Sequence, residues 1–143
     1  MKREICLATL CVVLLVILVI ILSQKQDSYG NVTISAPKGF KQTDAFDRSY
    51  QNGECNFSVC QINLNDFEIY SSRENDDDYE WTFEQDGSIT SQYWADNGNE
   101  VRVKAWVYGW RVYMCMFSSG KAVFMPEDER MCRQVFDGFQ MCR

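Results

Sequence analysis

Eighteen consecutive residues, from Ile5 to Leu22, carry no charge, and Thr9 is the only one of them that is not apolar. As a helix this stretch spans roughly 27 Å at about 1.5 Å per residue, close to the ~30 Å hydrocarbon thickness of a bilayer. The rest of the chain breaks into short alternating runs bounded by glycine, asparagine and aspartate, the pattern of strands and turns. Ser23 to Asn31 is polar and reads as a linker. Val32 to Ala36 reads as a strand, broken by Pro37-Lys-Gly-Phe40, and Gln42 to Gly53 reads as loop. Asn56 to Leu64 reads as a strand. Asp66 to Ser72 fits two patterns: Asn65 followed by Glu68 resembles a helix cap, while Phe67, Ile69 and Tyr70 suit a strand.

Tyr79 to Phe117 contains three turn signals, Gln85-Asp-Gly87, Asp96-Asn-Gly98 and Tyr108-Gly109. Register follows from asking which loop length keeps the apolar residues on one face. Three-residue loops at the first two sites set Phe83 opposite Ile89, Tyr79 opposite Tyr93, and Tyr93 opposite Val101. A two-residue turn at Tyr108-Gly109 pairs Val107 with Trp110, Ala105 with Val112, Val103 with Met114 and Val101 with Met116. The result is a four-stranded antiparallel meander with one apolar face. The other face carries Arg102, Lys104, Trp106, Arg111, Tyr113, Cys115 and Phe117, with Lys104 opposite Tyr113 and Trp106 opposite Arg111. It reads either as a half-wet sheet face laced with cation–π pairs, or as a partner-binding face of Arg102, Lys104, Trp106, Arg111 and Tyr113.

Pro126, followed by Glu127, Asp128 and Glu129, opens a helix whose inward stripe is Met131, Cys132, Val135 and Phe136. Asp137-Gly138 ends it, and Phe139 to Cys142 reads as a last strand. The expected architecture is therefore α+β: an antiparallel meander sheet with a C-terminal helix packed on one face, preceded by an N-terminal transmembrane helix. The expected divisions are 1–22 as membrane anchor or signal peptide, 23–31 as linker and 32–143 as an extracytoplasmic α+β domain.

Charge fixes the orientation. Lys2 and Arg3 precede the apolar run, which predicts an N-terminus in the cytoplasm and the domain outside. The run exceeds a signal peptide's apolar core, and bulky Ile21 stands where a small residue would precede cleavage at Ser23, which favours an uncleaved anchor. Removing Lys2, Arg3 and Glu4 with the anchor takes the chain from 14 bases and 20 acids to 12 and 19, a net charge of −7. An acidic surface repels phosphate, so nucleic acid is not an expected partner.

The chain contains no histidine, which removes the commonest general base and the usual zinc ligand. No catalytic, cofactor-binding or metal-binding residues are assigned, and the expectation is a binding or scaffold module for a protein or envelope partner, not an enzyme. The alternatives are a histidine-free secreted hydrolase using carboxylates and a disulfide-linked structural dimer. Cys55, Cys60, Cys115, Cys132 and Cys142 lie outside the anchor and are candidates for disulfides in an exported domain, Cys55–Cys60 and Cys132–Cys142 being the local options. The acidic run Glu74, Asp76, Asp77, Asp78, Glu80 has the oxygen ligands that Ca²⁺ prefers but not the spacing of a calcium loop; a solvated charged loop is the simpler reading.

The order of elements near the C-terminus carries a resemblance. A long strand (Trp110–Ser118), a helix (Pro126–Phe136) and a short strand opening Asp137-Gly-Phe139 combine with Ile34-Ser-Ala-Pro-Lys-Gly-Phe40. Together they resemble the PsbP-like α/β/α sandwich family, which includes extrinsic subunits of the photosynthetic oxygen-evolving complex, a Ran-GTPase-binding protein and many small bacterial exported or lipid-anchored proteins. The resemblance implies binding or scaffolding and carries over no catalytic residues. The five cysteines, and the lack of a lipoprotein cysteine after the apolar run, depart from the pattern.

Overall fold

The computed structural model describes residues 2–23, 26–43, 48–71 and 81–142. In chain order the elements are α1 (Lys2–Ser23), β1 (Gln26–Tyr29), β2 (Val32–Ser35), β3 (Lys41–Gln42), β4 (Ser49–Asn52), β5 (Cys55–Asn63) and α2 (Leu64–Ser71). They continue as β6 (Thr82–Phe83), β7 (Ile89–Trp94), β8 (Glu100–Tyr108), β9 (Arg111–Ser118), α3 (Pro126–Asp137) and β10 (Phe139–Met141). One sheet has seven strands in the order β3-β4-β5-β9-β8-β7-β6; a second has three, β1-β2-β10. Every neighbouring pair is antiparallel. The protein is a mixed α+β fold with antiparallel sheets and a C-terminal helix.

The large sheet is covered on both faces, each with its own apolar layer. Val101, Val103 and Ala105 of β8 with Val112 and Met114 of β9 form one layer, closed by Phe67 of α2 and Ile89. Trp106, Tyr113, Cys115 and Phe117 form the other with Phe57 and Val59 of β5, closed by Cys132 and Val135 of α3 and by Val32, Ile34 and Phe139 of the small sheet. Period-two alternation along β8 and β9 separates these sets, which is why one strand feeds both cores.

The first two hairpins have the expected register. Phe83 faces Ile89 and Tyr93 faces Val101, with Gly87 and Gly98 at φ +92° and +83°, each at the end of a three-residue loop. The Tyr79–Tyr93 pair lies outside the described residues. The third hairpin differs. Its turn is Gly109-Trp110, so Tyr108 faces Arg111, Val107 faces Val112, Ala105 faces Met114 and Val103 faces Met116. The expected pairing is thus displaced by two residues, and Lys104 faces Cys115 while Trp106 faces Tyr113. A two-residue displacement returns every side chain to the same face, so apolarity alone does not select between the two registers.

Three further expectations are corrected. The linker is partly strand: Gln26–Tyr29 pairs with Val32–Ser35, so the folded unit begins six residues before Val32. Its polar Gln-Asp-Ser-Tyr sequence carries no alternation. The loop expected at 42–53 contains β4, whose Tyr50 is buried and stacks on Phe57 with ring centroids 4.7 Å apart. Leu64–Ser71 is a helix, capped two residues earlier than Asn65: Asn63 Oδ1 accepts from Asp66 N–H at 2.7 Å and its Nδ2 donates to the Asp66 carboxylate at 2.7 Å.

In α1 the described side chains run from Arg3 to Val19, and all are exposed. Among the described residues no helix is long and apolar enough to cross a membrane. All seven cysteines are free thiols. The local pairing of Cys55 with Cys60 is ruled out by the strand itself: five residues apart on β5, they project to opposite faces and pack in different layers. Cys132 is buried beneath α3 while Cys142 is exposed, so that local pair does not form either.

Candidate functional site

The five residues expected to form a partner-binding face are divided by the fold. Lys104, Trp106 and Tyr113 are 5%, 6% and 0% exposed, because α3 and the small sheet lie over them. Arg102 is half-buried under α3, and of the five Arg111 alone is exposed, beside the Gly109-Trp110 turn. The basic and aromatic character is real, but it is spent internally on holding the cover in place.

Three of these side chains, Trp106, Tyr113 and Lys104, each fasten a particular backbone. Trp106 Nε1 donates to Phe139 O at 3.1 Å and so ties β8 to β10. The Tyr113 hydroxyl accepts from Asn31 N–H at 3.3 Å, holding the β1–β2 turn, where Gly30 has φ +57°. Lys104 Nζ donates to Phe136 O at 3.0 Å, lies 3.3 Å from Asp86 Oδ2 and stands 5.0 Å from the Trp106 ring centroid. A cation there meets the negative end of the α3 dipole and satisfies one of its last carbonyls.

Arg102 forms a fork to both carboxylate oxygens of Glu129, with Nη2 to Oε1 at 2.5 Å, and also donates to Glu100 Oε1 at 3.1 Å. Its guanidinium covers the Phe124 ring at 4.5 Å. Burial acts to lower the Arg102 pKa, but hydrogen bonds to Glu129 and Glu100 outweigh it and hold the group above its ordinary value. Glu100 is itself buried, and its other oxygen accepts from Phe124 N–H at 2.8 Å. At the start of α3, Asp128 accepts from Met125 N–H at 2.8 Å and pairs with Lys121 at 3.2 Å. The helix is therefore pinned at both ends and in its first turns. Sequence reasoning missed Glu100, Asp86, Asp128 and Lys121. The only local signal was charge at alternate positions of a strand, Glu100, Arg102 and Lys104, which is unusual unless that face has partners.

Beside this network an open groove of about 900 Å³ runs between α3 and the β6–β7–β8 side of the sheet. Thr82, Glu84, Asp86, Thr90 and Gln92 line one wall; Glu129, Arg133 and Phe136 line the other, with Arg102 and Lys104 on the floor. Both signs of charge are present, which suits a polar peptide more than a single-sign ligand. Asp86 is held below the usual carboxylate range: its slight burial acts to raise the pKa, and hydrogen bonds from Ser88 with the Lys104 charge outweigh that. A general acid requires the opposite shift. Among the described residues no group of three or more acids and cysteines could hold a metal ion. The acidic run Glu74–Glu80 lies outside the described residues.

The Asp86 shift makes a pH prediction. Its folded pKa lies below the unfolded value, so its contribution is complete above the ordinary Asp pKa of about 4 and is lost as pH falls through the lower folded value. The difference in urea midpoint between the natural chain and Asp86→Asn is therefore expected at pH 6 and should shrink as pH falls below about 4. A difference that does not shrink on acidification would contradict the assignment.

No family model matches the chain, and no curated protein matches it. Among solved structures it is similar to cyanobacterial PsbP (CyanoP) from Synechocystis sp. PCC 6803, in a solution structure. The superposition covers 82% of this chain and 91% of that one, with a TM-score of 0.52 and 13% identity. The fold is PsbP-like. At that identity the likeness concerns the arrangement of sheet and helix. It agrees with the resemblance drawn from Ile34–Phe40 and Trp110–Met141, segments that here supply β2, β9, α3 and β10.

Proposed function

We propose that this chain is a non-catalytic binding module, held to a membrane by Ile5–Leu22 with its PsbP-like domain on the outer face, and that its partner is a protein segment seated in the α3 groove. The observation that carries the tethering is α1. It is a 22-residue helix, and its described apolar side chains from Ile5 to Val19 are all exposed, the large ones between 47% and 65%. The sequence from Ile5 to Leu22 is uncharged, and an exposed apolar surface of that kind favours apolar surroundings. The PsbP-like fold and the mixed-charge groove support the binding part, and the engaged state of Asp86 and Glu129 weighs against carboxylate hydrolysis.

Tethering is tested by carbonate extraction of membranes and by a C-terminal reporter. The chain should stay in the pellet with the reporter outside; release of the intact chain, or a cytosolic reporter, overturns the reading. For the groove, a photo-crosslinking residue at Gln92 should yield a discrete adduct in cells, and one at exposed Gln61, on β5, should not. Equal adducts from both positions, or none from Gln92, removes the groove from the argument.

A further inference from the structure

Cys115 and Cys132 lie beneath α3, Cys132 at the base of the groove, and neither thiol has a role in the binding reading. Cys115 lies on β9 on the covered face, opposite Lys104, and is 0% exposed. Cys132 lies on the inward stripe of α3 and is 3% exposed. Two contacts locate α3 over the sheet: Glu129 meets Arg102, and Phe136 O meets Lys104. Cys132 stands between those contacts, about one helical turn from each, which puts it above the Arg102–Lys104 segment and its β9 neighbours Phe117 and Cys115. Both thiols belong to the same buried layer: burial first, then Cys132, pushes the Cys115 thiol well up, while burial pushes Cys132 up to about 12. The other cysteines are placed elsewhere. Cys60 packs on the opposite face, Cys142 follows β10 at the surface, and Cys55 lies toward the first turn of α3 near Asp128.

We propose that Cys115 and Cys132 are a disulfide-forming pair that fastens α3 covalently to β9. The co-reactant is a low-molecular-weight or protein disulfide. One thiolate attacks a sulfur of that disulfide, forming a mixed disulfide and releasing one thiol. The second thiolate then displaces the remaining half, so the Sγ–Sγ bond forms, the two cysteines lose two protons and two electrons, and the oxidant leaves as two thiols. Neither thiol is accessible in the folded chain, so exchange takes place before α3 docks. Once formed, the bond is shielded from reductant until α3 lifts.

The test is oxidative refolding of the full-length chain in detergent. The reduced, denatured chain is refolded with reduced and oxidised glutathione, alkylated, and digested without reductant. A Cys115 peptide joined to a Cys132 peptide is expected, with Tm raised by about 10 °C over the chain refolded under reductant. Cys60→Ser and Cys142→Ser should keep the link, and Cys132→Ser should leave Cys115 alkylatable on unfolding and abolish the Tm gain. Recovery of Cys115 and Cys132 as thiols in the oxidised product, or either joined to Cys55, Cys60 or Cys142, overturns the proposal. Should Cys132→Ser fail to fold, the peptide map of the unsubstituted chain decides the matter alone.

Discussion

Replacing Gly138 with alanine will destabilise the domain by about 3 kcal/mol or more and lower its Tm by roughly 10 °C. A Cβ at this position would lie 2.1 Å from the Ser35 carbonyl oxygen and 3.1 Å from its carbon. Both are backbone atoms in β2, so no side-chain rotation relieves the contact. Gly138 has φ −81°, which alanine adopts readily, and the penalty is therefore one of space. The same junction carries the Ser35 N–H bond to Gly138 O at 2.8 Å and the Gly138 N–H bond to Gln134 O at 3.2 Å. Pushing β2 away would stretch the stitch between α3 and the small sheet. Gly98→Ala is the control: its φ is +83°, but nothing lies within 4 Å of the added methyl, so only a backbone cost of about 1–2 kcal/mol applies. Urea denaturation of the two variants separates the effects. Equal losses would mean that α3 and β2 do not approach as closely as described.

Trp106→Ala should cost about 3–5 kcal/mol, the range for removing a large buried aromatic. The ring is 6% exposed in the layer beneath the small sheet, gives Lys104 a cation–π platform, and donates to Phe139 O. Trp106→Phe keeps most of the apolar volume but leaves a carbonyl without its donor, at about 1–3 kcal/mol. The two losses should therefore differ by a factor of two or so, with amide exchange in β10 accelerated in both variants. If both changes cost under about 0.5 kcal/mol, the surface magnitude, Trp106 would belong to an exposed face after all.

Much of the sheet could be read in advance because alternation is a local signal. The Gly87 and Gly98 turns fix their registers, since a one-residue slip would move apolar residues to the wrong side. The Tyr108–Trp110 turn defeated that test because its alternatives differ by two residues and are equivalent in facing. Pro126 and the three acids after it marked α3 for reasons of helix electrostatics that need no partner. In contrast, Gln26–Tyr29 and Lys41–Gln42 are edge strands defined by their neighbours and show no pattern of their own. The site was half visible. The basic and aromatic residues of β8 and β9 were correctly placed on one face, yet whether that face is open or covered depends on Glu129, Phe136 and Phe139, 27 to 33 residues away in the chain from the β8 side chains they meet.

The three-stranded sheet has a mechanical consequence. β1 is the first described strand, β10 the last, and both run antiparallel to β2 between them. A pull on the start of β1 against the end of β10 would draw the two outer strands lengthwise past the central one. Their cross-links would then bear the load together, in shear, and not open one at a time like a zip. Force applied between those two points would meet the small sheet in shear, the direction in which its strand pairing resists most.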